Sequence, residues 1–286
     1  MELVAKSLTV AGRQAHRRLR TPSQLAQLAQ SADPAARQVA AALDGRLDAQ
    51  ERAWSDRIEA LRARLLASDA EVGIIDFGAG DPGLELSGGT MAAGRVETRR
   101  IADICRSAAK PPVWARILLR LVREFRPERC LELGTSLGVS AAYQAAALEL
   151  NGSGRLVSLE GAPALVEVAW RHLEELGLAP RVSLFAGRFR DTLGGVLASE
   201  APIDYAFVDG HHDGDATIAY FEQLLPAAAD GAVFVFDDIS WSRGMQQAWR
   251  TVSAHPRVRL PVDLFKVGVC VLGPGTRTNR FRVAID

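Results

Sequence analysis

The chain has 286 residues, and its 34 Lys+Arg and 34 Asp+Glu leave a formal net charge of zero, whereas nucleic-acid binders usually carry a basic excess. Three cysteines, Cys105, Cys130 and Cys270, are far apart and odd in number; they form neither a disulfide framework nor zinc spacing, which fits a reducing cytoplasm. No apolar run approaches the roughly 20 residues that cross a bilayer, and the amino terminus has no apolar signal core, so the expected partner is a small molecule and not a nucleic acid or a membrane.

Residues 1 to about 70 are rich in Ala, Arg, Gln and Leu and read as helices. Thr21-Pro22-Ser23-Gln24 offers an N-cap, a proline at the first helical position and a capping-box glutamine, and Asp33-Pro34 repeats the start signal. Trp54, Ile58, Leu61 and Leu65 recur at helical spacing among charged residues, as on an amphipathic helix that buries one face. This region carries no evident chemistry. It reads as a cap packed on the rest of the chain, with a homodimer through these helices as the second reading.

Residues 71–98 hold a short apolar run and a glycine-rich turn. Asp76-x-Gly78-x-Gly80 imitates a nucleotide loop, but Pro82 and two further glycines follow in place of a helix. Without the helix, the aligned N–H groups and dipole that hold an anion are missing. The segment reads as a linker or lid, with a plain structural turn as the alternative. Residues 99–126 are helical again, broken at Pro111-Pro112. The first 126 residues thus form a helical extension ahead of a second unit, 127–286.

From residue 129 strands and helices alternate. Strands are expected at 129–134, 156–160, 181–186, 203–208, 231–237, 257–263 and 267–272, and helices at 138–149, 163–177, 213–226 and 241–254. Such alternation builds βαβ units, hence a Rossmann-like α/β fold with a seven-stranded, mostly parallel sheet and helices on both faces. The first strand runs into Cys130-Leu-Glu-Leu-Gly-Thr-Ser-Leu-Gly138, a strand, a tight turn and a helix start, the layout by which an open α/β sheet presents a nucleotide-like ligand. Gly134 lets the backbone bend and approach a ligand, and Gly138 lets the next helix pack near the sheet. The Gly134-x-x-x-Gly138 spacing, with Glu132 two residues upstream, departs from the G-x-G-x-x-G of dinucleotide sites.

That turn resembles motif I of the class I S-adenosylmethionine (SAM) dependent methyltransferases, and 127–286 then reads as a SAM-binding methyltransferase domain. Glu132, Gly134, Thr135, Ser136 and Gly138 are the expected cofactor contacts of the turn. Glu160 ends the second strand, placed to accept hydrogen bonds from both ribose hydroxyls, with Gly161 beside it. After the third strand Arg188 stands where many relatives carry an acidic or polar adenine contact, which leaves backbone groups near Gly187 for that task. In the resembled family the last strand is antiparallel, a place that Val267–Leu272 would fill.

The fourth strand ends at Asp209, followed by Gly210-His211-His212, and the fifth ends in Asp237-Asp238-Ile239-Ser240-Trp241. Adjacent strand ends meet at one crevice, and three carboxylates there repel one another unless neutralised; a hard cation such as Mg²⁺ would do so. The set resembles the metal-dependent O-methyltransferases of the catechol and bacterial cephalosporin types. By that resemblance Asp209, Asp237 and Asp238 would be metal ligands, with Asp209 also close to cofactor and chemistry. The catechol type carries a basic lysine three residues after the strand-four aspartate; here the position is His212, which can take a proton near neutrality. Trp241 could stack on an aromatic substrate or simply pack. The implied activity is metal-assisted O-methylation of a small-molecule hydroxyl by SAM. The alternatives are a metal-independent SAM enzyme of the same fold, acting on nitrogen or carbon, and a non-catalytic SAM-binding protein.

Overall fold

The computed structural model describes residues 23–76, 95–275, 277–278 and 280–285. The Thr21-Pro22 start signal and the Gly78–Gly80 turn therefore lie outside the described residues. A helical stretch at 23–29 leads into α1 (Pro34–Leu43) and α2 (Ala49–Leu66). As the sequence predicts, Asp33 caps α1 by accepting from Ala35 N, with a proline in the first turn. α2 opens with a capping box between Asp48 and Glu51 and buries Ile58, Leu61 and Leu65.

The ends of the glycine-rich segment are strands. β1 (Glu71–Asp76) and β2 (Arg95–Arg100) form an antiparallel pair with Glu71 opposite Arg100, a correction to the expected 71–98 loop. β2 is almost wholly polar and β1 carries a glycine and two adjacent isoleucines, so neither shows the apolar–polar alternation that marks a strand. α3 (Ile101–Ala108) and α4 (Pro112–Phe125) follow, separated at Lys110-Pro111.

The main sheet contains β3 (Arg129–Leu133), β4 (Arg155–Glu160), β5 (Val182–Ala186), β6 (Ile203–Val208), β7 (Ala228–Phe236), β8 (Val258–Asp263), β9 (Gly268–Leu272) and β10 (Phe281–Arg282). The order across it is β10-β8-β9-β7-β6-β3-β4-β5. All seven expected strands are present, and β10 adds an eighth, paired parallel to β8. β9 runs antiparallel to both β7 and β8, as expected for the last strand of the family sheet. The helices are α5 (Val139–Asn151), α6 (Pro163–Leu176), α7 (Phe189–Glu200), α8 (Gly214–Leu224) and α9 (Arg243–Ala254). α7 is absent from the sequence expectation. Its Gly194-Gly195 pair weakens the helical pattern, yet joining parallel strands β5 and β6 requires a crossover.

The N-terminal helices and the sheet share one core. Leu28, Val39 and Ile58 belong to the same buried cluster as Tyr143, Leu156, Val235 and Val283. α5 is buried on nearly every face because α4 and α2 cover it; Ala141, Ala142, Ala145 and Ala146 keep it thin enough for that. A buried ion pair, Arg120 Nη1 to Glu51 Oε1 at 2.9 Å, ties α4 to α2. The apolar faces of α1 and α2 are thus spent on the chain's own core, as plain packing predicts. Among the described residues no helix is long and apolar enough to cross a membrane.

The chain passes from β3 to β4 to β5 on one side and returns to β6 and β7 on the other. The switch in direction lies between β3 and β6, and an open α/β sheet binds its ligand beyond the strand ends at such a point.

Candidate active site

The turn after β3 is built around Gly134, which has φ of 107°. Its N–H donates to Leu159 O at 2.9 Å, and Asp209 N donates to Leu133 O at 2.9 Å, so β3, β4 and β6 are stitched together beyond their ends. Gly138 has φ of 81° and caps the start of α5, where a Cβ would come within 3.1 Å of the Ala169 Cβ. Ser136 has φ of 48° and donates its N–H to Glu160 Oε2 at 2.8 Å, while Ala162 N donates to Glu160 Oε1 at 3.0 Å. The Glu160 carboxylate is thereby fixed, half-buried, against the turn after β3.

Glu132 and Thr135 sit under the turn. Glu132 is fully buried; Gln144 Nε2 donates to its Oε1 at 2.8 Å and Ser158 Oγ to its Oε2 at 2.6 Å. Thr135 Oγ1 shares a 2.6 Å hydrogen bond with Ser158 Oγ. Burial pushes the Glu132 carboxyl up to about 7, against the hydrogen bonds that favour its charged form. These groups brace the turn from beneath. Gly187 follows β5 with φ of 141°, and its N–H donates to Glu160 O at 2.8 Å, so the β5 end is joined to the same corner. Arg188 is turned outward to Asp191, at 2.6 Å.

Beyond β6 and β7 the chain holds several non-glycine residues at positive φ: His211 at 68°, His212 at 48° and Asp238 at 48°. Such backbone strain concentrates where a fold presents functional groups. His211 Nδ1 is 2.7 Å from Tyr220 Oη, and its ring meets Phe189 edge-on, so it anchors the loop to α7 and α8. His212 faces the crevice, with Nδ1 3.7 Å from Asp238 Oδ2 and its ring centroid 5.4 Å from that of Trp241. Burial lowers the His212 pKa, opposed by Asp238 and Asp237, and the resulting neutral imidazole is the form that accepts a proton.

The acidic set converges, but on a group the sequence reading passed over. Lys110 Nζ hydrogen-bonds Asp237 Oδ2 and lies 3.2 Å from Asp209 Oδ1, with its side chain only 12% exposed. Burial pushes the Asp209 carboxyl well up, Lys110 opposes this, and the Asp237 carboxylate beside it adds to the rise. Burial likewise raises Asp238, with Asp237 adding to it. Burial alone would lower Lys110; the field of Asp209, Asp237 and Asp238 outweighs it and holds the ammonium charged, above the usual lysine range. Asp238 points away to His212. Among the described residues no group of three acidic, histidine or cysteine side chains is arranged to hold a metal ion. Of the expected ligands, Asp209 and Asp237 face the Lys110 ammonium, and Asp238 has His212 Nδ1 3.7 Å away.

Beside the cluster opens a cavity of about 810 Å³, lined in part by Trp114, Ile239, Trp249, Phe265, Lys266 and Arg280. Ile239 directly follows Asp238, and its N–H donates to Lys266 O at 2.9 Å, so one wall of the cavity is formed just after the end of β7.

Residues 131–239 match a family model described as a methyltransferase domain. A catechol O-methyltransferase of Mycobacterium tuberculosis is 33% identical over 124 residues, covering 43% of this chain and 54% of that protein. One from Niastella koreensis is 31% identical over 129 residues, covering 45% and 57%. The chain thus spans little more than half the length of the curated relatives it matches. Among solved structures, an O-methyltransferase from Bacillus cereus in complex with SAH aligns with a TM-score of 0.50 at 25% identity, over 58% of this chain and 83% of that one. An SAH-bound methyltransferase of Podospora anserina shares the fold, with a TM-score of 0.51 at 20% identity over 59% and 81%. The matched segment, the strand order and the corner formed by Gly134, Gly138 and Glu160 make residues 131–239 similar to a methyltransferase domain on a Rossmann-like sheet.

Proposed function

We propose that this protein transfers the methyl group of SAM to a hydroxyl oxygen of a small molecule. One observation carries the reading: the glycine turn, Glu160, Asp209 and His212 stand in chain order at the carboxyl ends of β3, β4 and β6, around the switch point. The likeness to catechol O-methyltransferases supports oxygen as the acceptor atom. Glu160 would hold the ribose hydroxyls, and the main chain of Gly134 to Gly138 would lie along the cofactor, with main chain near Gly187 toward the adenine. When bound, SAM supplies a sulfonium methyl: the oxygen–carbon bond forms as the carbon–sulfur bond breaks, and that electron pair stays on sulfur.

The chain's own work is alignment and proton removal. His212, neutral and facing the crevice, takes the hydroxyl proton, and Trp241 holds the imidazole ring in place. The cavity beside Ile239 receives the acceptor. Among the described residues its lining contains Arg250, Lys266, Arg280 and Arg282 against one acid, Asp263, so an acceptor carrying an anionic group suits it. No step of this reading runs through a divalent cation, because Lys110 fills the place between the carboxylates that would bind one.

The test is calorimetric titration with SAM, SAH and NAD, followed by transfer of labelled methyl to a panel of phenolic and aliphatic alcohols. Binding of SAM and SAH without NAD, with label recovered as a methyl ether, is the expected result. Failure to bind SAM, or label found only on nitrogen or carbon, overturns it.

A further inference from the structure

Lys110 belongs to the joint between α3 and α4, outside the segment matched by the methyltransferase model and 127 residues from Asp237 in sequence. Its position is built in. The Lys110 carbonyl accepts a 2.6 Å hydrogen bond from Arg62 Nη2; Arg62 is itself nearly buried and held by Glu59 at 2.9 Å. Pro111 and Pro112 then fix the backbone direction as α4 begins. A flexible surface lysine reaching a carboxylate by chance needs none of this framing.

The energetics point the same way. A buried ammonium without partners costs several kcal/mol, and so does a pair of adjacent buried carboxylates without a cation; each removes the other's penalty. Mg²⁺ at the same oxygens would require ligands at about 2.1 Å, inside the space of Nζ and against its positive charge. Ammonium and metal exclude each other there.

We infer that Lys110 is a tethered cation that takes the place of a divalent metal at the Asp209–Asp237 pair, so that this site binds no divalent cation. The inference deepens the methyltransferase reading and rests on it for its consequence, though not for its test. A metal can chelate two adjacent substrate oxygens. An ammonium has N–H donors and no coordination sites, and with Lys110 bonded to Asp237 and paired with Asp209 at 3.2 Å it cannot chelate two oxygens as a metal does. The site therefore suits an isolated hydroxyl, with no need for a vicinal pair of oxygens.

The test is Mn²⁺ binding to the full chain, followed by the paramagnetic signal of the free ion and by calorimetry, alongside melting temperatures with and without Mg²⁺. Wild type should leave Mn²⁺ free and melt at the same temperature in Mg²⁺ or chelator. Lys110→Met, which keeps the aliphatic stem and removes the charge, should acquire Mn²⁺ binding and a melting temperature that rises with Mg²⁺. Stoichiometric Mn²⁺ binding by wild type, lost on Asp237→Asn, overturns the inference, and so does a Lys110→Met protein that binds no Mn²⁺. Should Lys110→Met fail to fold, the wild-type titration decides alone. SAM binding is measured on the same samples: its absence would sink the methyltransferase reading and leave the Mn²⁺ result standing.

Discussion

A Cβ on Gly134 would overlap the main-chain oxygen of Asp209. These two residues follow β3 and β6, the neighbouring strands on either side of the switch point, so the turn proposed to hold the cofactor and the strand end proposed to lie by the chemistry pack backbone against backbone. Gly134→Ala therefore pushes the two apart and also forces an L side chain to φ of 107°. A loss of about 1–3 kcal/mol in stability is expected from strain alone. SAM affinity should fall to undetectable levels in calorimetry, because the displaced groups are those that would line the site. Wild-type affinity in this variant would remove the turn from the cofactor site.

Glu160→Gln tests the carboxylate that joins β4 to the turn. The amide keeps one acceptor oxygen for Ser136 N or Ala162 N and turns a donor toward the other, so one of two backbone contacts is lost along with a ribose acceptor. Hydrogen bonds to a charged group contribute about 1.5–3 kcal/mol, so SAM should bind roughly 10- to 100-fold more weakly. Equal weakening for SAM and SAH is expected, since the ribose is common to both. An unchanged dissociation constant would assign Glu160 to bracing the turn alone.

Much of this site could be read in the sequence because its groups sit at the ends of strands that declare themselves by apolar runs: Glu160, Asp209 and Asp237-Asp238 each terminate one. Lys110 could not be found that way. Its partners are far off in sequence, and what brings them together is the docking of α2, α3 and α4 on the sheet, a matter of tertiary packing that no local period records. Its scarcity was the one signal available, as one of three lysines in a chain otherwise charged by arginine, set directly before Pro111-Pro112. The β1–β2 pair escaped for a related reason. It is a small, largely exposed sheet whose residues do not alternate apolar with polar, so neither strand has the burial pattern that marks β3 or β6.

His212→Asn separates proton transfer from binding. At φ of 48° the backbone here suits asparagine, which tolerates the left-handed region better than most residues, so the loop should hold. Loss of a general base lowers turnover by about 10²- to 10⁴-fold, while SAM affinity should stay at the wild-type value. His211→Ala should instead loosen the loop from Tyr220 and change affinity and turnover together. The measurement is kcat and SAM affinity in parallel; full turnover in His212→Asn would pass the base role to solvent.

Glu132 makes stability depend on pH. Its pKa in the folded chain, about 7, lies above the ordinary 4.5 because the carboxyl is buried without a cation. Below pH 4.5 it is protonated in both folded and unfolded chains, and its contribution is fully present. Between those two values the unfolded chain has released the proton while the folded chain still holds it, so stability falls as pH rises and is lost once pH passes 7. The ceiling on this loss is about 3 kcal/mol. Glu132→Gln has nothing to titrate, and Ser158 can turn its hydroxyl to accept from the new amide. Melting temperatures of wild type and variant should therefore converge at acid pH and separate as pH rises, with the variant the more stable above neutrality. Asp209 and Asp238, also raised, add a downward slope of the same sign to both proteins, so the difference between the two curves isolates Glu132. Curves that stay parallel through neutrality would mean that the Glu132 carboxylate is stabilised as the anion by its hydrogen bonds from Gln144 and Ser158.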